Sequence, residues 1–389
     1  MISSVAILGS TGSIGNSTLS VIAKNKQFKI KLLTTNKNAN KILRQAIKFK
    51  VKNIIITDKS TYYKYRQIFK KKKINLYFNI TKLNKIIKKK LTYTINAISG
   101  IEGLEPTLRV IPLTKNILIA NKESIICGWD IISKKLKKNK TNFIPIDSEH
   151  FSILKLIEGV KHENIDKVIL TASGGPFLNK PIKKIKNIKP KYALNHPNWK
   201  MGKKISIDSS TMMNKVLEFI EAKKIFNLKK KKISILIHPS SYVHAIVILK
   251  GNLIKFLAHQ TNMRIPISNA LGANKKSLNS FTSQINNLNN MKFLIPNKKQ
   301  FKLLTILDKL PENSSYFETI LISLNDTLVS KYLNGKINYI SIQKNLLNLI
   351  ESPYLKKFYK LKPKKIYDIK KMIKLTKNYL NLNLKFYND

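Results

Sequence analysis

The feature that most constrains the fold of this chain is the alternation of short apolar strands with amphipathic helices along its first 147 residues. It begins with the apolar run 5–8, passes through a glycine-rich turn, and continues into a helix that we predict from Asn16 to Ala23. Strands that alternate with helices favour a parallel sheet covered by helices on both faces. We therefore predict a Rossmann-like parallel sheet domain, whose strands are expected at 5–8, 29–34, 53–57, 74–80, 93–98, 116–120 and 142–146.

The turn after the first strand has the spacing Gly9-x-x-Gly12-x-x-Gly15. Glycines in such a turn let the backbone approach a pyrophosphate, which the free N–H groups at a helix start can hold. The spacing is typical of NADP-using variants of the fold. After the second strand, where an NAD enzyme would place an acidic residue for the ribose hydroxyl, this chain has Lys37. The pattern predicts a site for a dinucleotide with a 2′-phosphate, and a turn without a ligand is the alternative.

Polar side chains follow two later strands of the predicted sheet. Asn121, Lys122 and Glu123 come directly after the sixth strand, and Asp147 and Glu149 follow the seventh. Because ligands of open α/β sheets lie at the carboxyl ends of the strands, we expect these side chains to contact one.

Asp147 and Glu149 are two residues apart, so both carboxylates would project to the same side of an extended segment. Two carboxylates near one point repel each other unless a cation or proton lies between them. This makes the pair a half-site for a hard divalent ion such as Mg²⁺ or Mn²⁺. The alternative is a helix N-terminus, where acidic side chains interact favourably with the helix dipole. The chain has only 20 acidic residues, and their grouping here and at Glu218 and Glu221 favours the metal site.

The stretch 196–222 concentrates functional residue types in a sequence otherwise rich in Lys, Ile and Asn. It begins as a loop, and the apolar-polar alternation from Lys204 to Asp208 predicts a short strand. Ser209 and Ser210 follow as candidate N-caps for a helix.

On that helix the residues expected to face the core recur at helical spacing, namely Met213, Val216, Leu217 and Ile220. Asn214, Lys215 and Glu218 share the opposite side and together form a candidate polar site. A solvated helix face is the alternative, because Lys and Glu at i, i+3 are common on helix surfaces. A second candidate is the turn Ser173-Gly174-Gly175, in which backbone N–H groups and a hydroxyl can converge on an anion.

The net charge of +53 could indicate a nucleic-acid binder. Only four of the 73 basic residues are arginine, however, and Arg is the residue favoured for bidentate phosphate recognition. Lys, Ile and Asn all have A/T-rich codons, so nucleotide bias explains their joint excess. No apolar run is long enough for a membrane span, no signal peptide is apparent, and the single Cys127 excludes an intrachain disulfide.

Several blocks of the sequence resemble the 1-deoxy-D-xylulose 5-phosphate reductoisomerase family. They are GSTGSIG from Gly9, ANKES at 120–124, IPIDSEH at 144–150, SGGPF at 173–177, HPNWKMGKKISIDSSTMMNKVLEFIEA from His196, and IHPSSYVH at 237–244. They cover about the first 270 residues. The sequence departs from the family pattern at Asn36, where Gly is usual, at Ser240, and around Asn325 and Asp326.

The resemblance implies a set of roles. It implies NADPH binding by Thr11, Gly12, Ser13, Ile14, Asn36, Lys37, Asn38, Asn121, Glu123 and Gly202. It implies substrate binding by Lys122, Ser148, Glu149, Ser173, His196, Ser209, Asn214, Lys215 and Glu218, and divalent-metal binding by Asp147, Glu149 and Glu218. Lys122 and the three carboxylates would be the catalytic groups, and Trp199 and Met201 would lie on a mobile flap.

The implied function is NADPH-dependent rearrangement and reduction of 1-deoxy-D-xylulose 5-phosphate to 2-C-methyl-D-erythritol 4-phosphate, with a divalent metal as Lewis acid. The alternatives are a generic NADP-dependent oxidoreductase with a structural acidic cluster, and a basic nucleic-acid-binding protein. We expect a cytoplasmic homodimer that takes a sugar phosphate and binds neither a membrane nor a specific nucleic acid. The predicted domains are 1–147 for NADPH, 148–272 for catalysis with the flap at 196–203, a connection at 273–298, and a helical domain at 299–389.

Overall fold

The computed structural model describes residues 2–273, 288–289 and 291–384. The chain divides into two compact units. The first comprises Met1–Ile125, Asp130–Phe151 and Asn262–Asn279, and the second comprises Ile126–Trp129, Ser152–Thr261 and Ser280–Asp389. Most of the predicted connection at 273–298 lies outside the described residues. The three predicted domain boundaries stay a prediction.

The first unit is built on a seven-stranded sheet in the order β4-β3-β2-β1-β5-β6-β7. Its strands are β1 Ser3–Leu8, β2 Phe28–Thr35, β3 Asn53–Ile56, β4 Asn75–Phe78, β5 Leu91–Asn96, β6 Thr114–Ile119 and β7 Asn142–Pro145. Every pairing is parallel. The strand order reverses at β1, which pairs with β2 on one side and β5 on the other, so the sheet is the predicted Rossmann-like one.

The helices that begin in this unit are α1 Ser13–Ala23, α2 Ala39–Lys48, α3 Lys59–Lys71, α4 Leu83–Ile86, α5 Leu104–Val110, α6 Lys122–Asn139 and α7 Ser148–Leu156. Strand residues such as Val5, Ile7 and Leu33 are fully buried in one apolar core with the inner faces of the helices. The later helix Arg264–Ala270 packs against α1 and contributes Ile267 to the same core. The contacts of this helix group it with the first unit.

The second unit contains a four-stranded sheet in the order β11-β10-β8-β9. Its strands are β8 Ile165–Ala172, β9 Ile233–Ile237, β10 Val243–Leu249 and β11 Ile254–Ala258. β8 and β9 are parallel, and β10 runs antiparallel to both β8 and β11. The remaining α-helices of the described residues are α8 Ile182–Ile185, α9 Pro190–Ala193, α10 Lys203–Ser210, α11 Met213–Ile225, α12 Arg264–Ala270, α13 Ile306–Lys309, α14 Tyr316–Leu333, α15 Tyr339–Ile350, α16 Pro353–Lys356 and α17 Ile366–Asn383.

The C-terminal part is helical, as predicted. α14 packs against both α15 and α17, and it also contacts α10. A capping box between Ser315 and Glu318 begins α14, which satisfies N–H groups that the first turn leaves without intrahelical partners. Among the helices of the described ranges, none combines the length and apolar character that a bilayer crossing requires.

The predicted strand from Lys204 to Asp208 is wrong, because these residues form helix α10. Ile207 and Asp208 are both buried while Ile205 is 40% exposed, so burial does not alternate as a strand would require. Five residues of alternation are too few to separate a strand from a helix. Ser209 and Ser210 therefore end a helix instead of capping one. The next helix, α11, begins after Met212, whose φ of +61° makes the bend.

Candidate functional site

The glycine-rich turn of the first unit lies between β1 and α1. Gly9 has a φ of +79°, and a Cβ there would lie 2.8 Å from the carbonyl oxygen of Ala97, so the turn requires glycine. Gly15 lets α1 begin close to the turn, since a Cβ would lie 2.5 Å from the carbonyl oxygen of Gly9. Gly12 and Ser13 are exposed at the start of α1, where free N–H groups can face a phosphate.

A buried glutamine that the sequence reasoning missed stabilises this turn. Gln45 of α2 accepts a hydrogen bond from the Ser10 hydroxyl at 2.8 Å and donates to the Ser10 carbonyl at 3.1 Å. Lys41 of the same helix donates to the carbonyl of Thr11 at 2.9 Å. The only available signal was an amide at a core-facing position of an amphipathic helix. These contacts hold the turn in shape before any ligand binds.

Asn36, Lys37 and Asn38 follow β2 and are exposed at its carboxyl end. Asn38 caps α2 by accepting a hydrogen bond from the Lys41 backbone N–H, and Asn36 accepts one from the Thr57 hydroxyl at 3.2 Å. Lys37 is thus held on a short, ordered turn at the same edge of the sheet as the glycine-rich turn. This is the position at which a 2′-phosphate would be recognised.

At the carboxyl end of β6, the side chain of Asn121 is engaged within the protein. Its oxygen accepts a hydrogen bond from the Ser124 backbone N–H, and its nitrogen donates to the carbonyls of Ile98 and Gly100. Asn121 therefore caps α6 and ties the loop after β5 to it. Glu123 lies in the first turn of the same helix and is buried.

Lys122, which follows Asn121 in the sequence, forms an ion pair with Asp147 at the carboxyl end of β7. Burial acts to raise the pKa of Asp147, but the Lys122 ammonium and His150 outweigh it and hold that pKa well below its usual range. Asp147 is therefore a carboxylate throughout the physiological range.

The predicted extended arrangement of Asp147 and Glu149 is wrong. α7 begins at Ser148, and the Asp147 carbonyl accepts the backbone hydrogen bond of Phe151, so the two acids stand at a helix N-terminus. Acidic residues are stable there because the helix dipole is positive. The Ser148 hydroxyl donates to the Glu149 carboxylate. The alternative prediction, a helix N-terminus with acidic residues, is correct for the backbone. Both residues still lie at the carboxyl end of β7, where a ligand would bind.

In the second unit, His196 and Ser173 are joined by a hydrogen bond of 2.9 Å between Nε2 and the hydroxyl oxygen. Nδ1 of His196 accepts backbone hydrogen bonds from Asn198 at 3.1 Å and Trp199 at 3.0 Å. Nδ1 therefore carries no proton, and Nε2 donates to Ser173. Burial lowers the pKa of His196 to about 4, which keeps this tautomer at neutral pH.

The Ser173 hydroxyl also accepts from the Gly175 backbone N–H at 3.0 Å. With both acceptor positions of its oxygen used, its own hydrogen can donate to a ligand. Gly175 has a φ of +67°, and a Cβ there would lie 2.9 Å from the carbonyl oxygen of Ser209. The two predicted phosphate elements, the Ser173 turn and the Ser209 end of α10, are thus brought into contact by a position that only glycine fits.

α11 carries a polar face that is buried. Lys215 is 3% exposed and Glu218 1% exposed, and the two form an ion pair. The interpretation as a solvated helix face is wrong, while the four residues predicted to face the core are indeed buried. Asn214 donates to the Glu218 carboxylate at 2.5 Å. Within the described ranges, the buried side-chain oxygen of Asn214 has no hydrogen-bond partner, so it can accept one from a ligand.

Sequence reasoning also missed a network that joins α10 to α14. The buried Asp208 accepts from Asn325 and Lys204, each at 2.8 Å, and Lys204 also contacts Asp326 at 3.0 Å. Asn325 and Asp326 are the remnant at which the family pattern weakens. Through these contacts α14 holds α10, the helix that carries Ser209.

The loop predicted as a flap is anchored in its middle by contacts of Asn198 and Trp199. The Asn198 side chain donates to the Pro239 carbonyl at 2.6 Å and the Ser241 hydroxyl at 2.9 Å. Trp199 packs edge-on against His244, with ring centroids 6.0 Å apart. Gly202 is exposed and stands as the N-cap of α10, where it has no side chain to satisfy the helix start.

Three family models match the chain, namely 1-deoxy-D-xylulose 5-phosphate reductoisomerase over residues 5–128, the C-terminal domain of that enzyme over 143–226, and the DXP reductoisomerase C-terminal domain over 259–379. The 1-deoxy-D-xylulose 5-phosphate reductoisomerase of Pelagibacter ubique is 50% identical over 372 residues, which is 95% of this chain and 96% of that protein. This chain belongs to the 1-deoxy-D-xylulose 5-phosphate reductoisomerase family.

Further relatives agree with this assignment. The reductoisomerase of Clostridium novyi is 38% identical over 87% of this chain and 89% of its own length. A crystal structure of DOX-P reductoisomerase in complex with NADPH, fosmidomycin and magnesium matches with a TM-score of 0.90 and 32% identity, over 99% of this chain and 98% of the other. The chain is thus an NADP-dependent oxidoreductase of this family, and its cofactors are NADPH and a divalent metal.

The candidate metal ligands fit a hard divalent ion by their chemistry. Asp147, Glu149 and Glu218 offer only carboxylate oxygens, the donors that Mg²⁺ and Mn²⁺ prefer. Asp147 and Glu218 each already balance a lysine ammonium.

Proposed function

We propose that this protein rearranges and reduces 1-deoxy-D-xylulose 5-phosphate to 2-C-methyl-D-erythritol 4-phosphate. The observation that carries the proposal is the buried polar face of α11. A generic NADP-dependent oxidoreductase has no use for a buried ammonium, carboxylate and unsatisfied amide oxygen on one helix. Burial of such groups is costly, so their retention points to a ligand that uses them.

We assign the phosphate of the substrate to the second unit. Ser173 can donate its hydroxyl hydrogen, Ser209 lies beside it through Gly175, and Lys215 supplies a positive charge. The neutral His196 holds the Ser173 hydroxyl in the donating orientation. Asn214 accepts a hydrogen bond from a substrate hydroxyl through its buried oxygen.

We assign the divalent ion to Asp147, Glu149 and Glu218. When bound there, the ion polarises the substrate carbonyl as a Lewis acid. Ser148 and Glu149 orient the carbon backbone of the substrate at this end. Lys122, paired with Asp147, supplies positive charge where an oxyanion develops.

We assign the NADPH phosphates to the first turn of α1 and the adenosine 2′-phosphate to Lys37 and its neighbours. The residues assigned to the cofactor are Thr11, Gly12, Ser13, Ile14, Asn36, Lys37, Asn38, Asn121, Glu123 and Gly202. NADPH supplies the hydride for the reduction. The preformed turn lowers the entropic cost of binding, because Gln45 and Lys41 already hold its backbone.

The segment 196–203 acts as the flap. Its residues Trp199 and Met201 cover the bound substrate, and closure excludes water from the reacting carbons. Binding energy from the phosphate, which is remote from those carbons, drives closure.

We further propose that the protein is a cytoplasmic homodimer. In support of self-association, β11 is the edge strand of its sheet and carries Ile254 at 60% and Phe256 at 47% exposure. A second chain that covered this edge would bury both the apolar side chains and the unpaired strand N–H and carbonyl groups.

The decisive experiment measures NADPH oxidation by the purified protein. We expect turnover only when 1-deoxy-D-xylulose 5-phosphate and Mg²⁺ or Mn²⁺ are both present. Chelation should abolish turnover, and added metal should restore it. Equal turnover after exhaustive chelation would remove the metal assignment, and turnover with unrelated carbonyl substrates would favour the generic oxidoreductase.

A further inference from the structure

Two histidines of the second unit form a stacked pair beneath the flap. The imidazole rings of His244 and His259 lie with centroids 3.8 Å apart and an angle of 27° between their planes. They are 2% and 8% exposed. Trp199 contacts the His244 ring edge-on, so three rings succeed one another in the order Trp199, His244, His259.

The backbone of β10 and of the residue after β11 sets the positions of the two histidine rings. Val243 of β10 pairs with Ala258 of β11, and the register shifts between Val243 and Ala245. His244 is therefore the extra residue of a β-bulge, and bulges redirect a side chain relative to the regular pleat. His259 follows the end of β11, and its backbone N–H donates to the Tyr242 carbonyl at 2.9 Å.

Hydrogen bonds hold both rings in a defined orientation. Nε2 of His244 lies 3.0 Å from the carbonyl oxygen of His259, and Nδ1 of His259 lies 2.7 Å from the carbonyl oxygen of Gln260. A carbonyl oxygen only accepts, so each of these nitrogens carries a proton. Neither ring can turn without breaking a buried hydrogen bond, and the pair is a rigid surface.

We propose that His259 is a positioning residue for the reaction. It fixes the ring of His244, the stacked pair supports Trp199, and the supported Trp199 sets the resting position of the flap that closes over the sugar phosphate. The proposal rests on the proposed role of residues 196–203 as that flap. His259 itself acts through His244 and Trp199, without contact to the reacting atoms.

The support of Trp199 by the stacked histidines has a consequence for the kinetics of the reaction. A flap that rests in one position gives up little conformational freedom when it closes, whereas an unsupported flap must be ordered by the substrate. Loss of the support therefore weakens substrate binding more than it slows the chemical step.

The test uses fluorescence of the full-length protein. The chain has two tryptophans, Trp129 and Trp199, so Trp129→Phe leaves Trp199 as the sole indole reporter. In this background we compare His259→Ala and His259→Asn, which remove the ring, with His259→Phe, which keeps a ring for stacking. His162→Ala is the matched control, because His162 bonds the Phe226 carbonyl and takes no part in the stack.

In the ligand-free protein, His259→Ala and His259→Asn should shift Trp199 emission to longer wavelength and increase its quenching by acrylamide. Both should raise the substrate KM roughly three- to tenfold with kcat changed less than about twofold, since the cost falls on ordering the flap. His259→Phe should restore both readouts, and His162→Ala should leave both unchanged. Thermal unfolding of each variant confirms that it is folded.

Unchanged Trp199 emission in the folded ring-less variants would overturn the proposal, as would a fall in kcat without a rise in KM. Failure of His259→Phe to restore the signal would also overturn it. The fluorescence measurement needs no substrate. If the ring-less variants show the emission shift but the parent protein does not turn over 1-deoxy-D-xylulose 5-phosphate, the proposed function is refuted and the support of Trp199 by the stacked histidines stands.

Discussion

The hydroxyl oxygen of Ser173 accepts a hydrogen bond from Nε2 of His196, with 2.9 Å between the two atoms. The direction of this bond follows from the flap backbone, because the N–H groups of Asn198 and Trp199 both donate to Nδ1 of the same imidazole. Ser173 is thereby left with a hydrogen to donate to a ligand. The loop that we propose as the flap thus also orients one of the groups that we propose for the phosphate site.

Ser173→Ala should raise the substrate KM by about tenfold, the effect of losing one hydrogen bond to a charged group. The change in kcat should be smaller, because the phosphate is remote from the reacting carbons. Steady-state kinetics with saturating NADPH measures both. Ser133→Ala on α6, whose hydroxyl bonds only a local carbonyl, is the control and should leave KM unchanged. An unaltered KM in Ser173→Ala would remove this residue from the phosphate site.

Glu218→Gln should abolish turnover and leave NADPH binding intact. It should also lower the free energy of unfolding by about 3 kcal/mol, because the buried Lys215 loses its counter-charge. Replacing Lys215 with Met in the same chain should recover part of the stability and none of the activity. Urea unfolding and NADPH fluorescence titration separate the two effects. Loss of NADPH binding in folded Glu218→Gln would show that Glu218 belongs to the cofactor site instead.

The pH dependence of the free energy of unfolding should reveal the lowered pKa of His196. Burial lowers its pKa from 6.5 to about 4, so between these values the unfolded chain binds a proton that the folded chain does not. The stabilisation from this group is complete above pH 6.5 and is lost as the pH falls towards 4. His196→Ala should unfold with a weaker dependence on pH in that window, measured by urea unfolding at several pH values. The same slope as the parent protein would contradict the lowered pKa of His196.

Asp208→Asn should weaken the connection between α10 and α14. Asp208 is 1% exposed and accepts from both Lys204 and Asn325. Losing the charge while Lys204 remains should cost about 1–3 kcal/mol of unfolding free energy and raise the substrate KM through the displaced Ser209. The control is Asp308→Asn. The Lys298–Asp308 pair is solvent-exposed, so its loss should cost less than about 1 kcal/mol. Equal losses of unfolding free energy in the two variants would show that the buried network stabilises the protein no more than an exposed ion pair does.

Lys37→Ala should raise the KM for NADPH and leave the KM for NADH nearly unchanged, because only NADPH carries the 2′-phosphate. We expect about a tenfold effect from one charged contact at an exposed site. Lys26→Ala is a matched control, since Lys26 is also exposed but precedes β2 instead of following it. If both cofactors were affected equally, Lys37 would act through the shape of the turn and not through the phosphate.

Much of the first unit was predictable because its signals are local. A buried parallel strand reads as a short apolar run, and the glycines of the turn at Gly9 to Gly15 are required by backbone geometry within a few residues. The C-terminal helices were predictable for the same reason, since the 3.6-residue period of apolar side chains can be detected within a single helix. Where the local signal was short, it misled. Lys204–Asp208 alternates over five residues, yet its buried and exposed side chains follow a helix.

The sequence by itself determined the order of strands and helices, the glycine-rich turn and the residue types of the site. Only the tertiary structure decided which polar residues are buried and what they contact. The Asp208–Asn325 bond joins residues 117 positions apart, and the stack of His244 on His259 depends on a bulge between paired strands. The physical reason is the distance along the sequence over which each kind of interaction acts. Periodicity and turn geometry act within a few residues, whereas desolvation, charge pairing and ring stacking depend on neighbours that only the folded chain brings together.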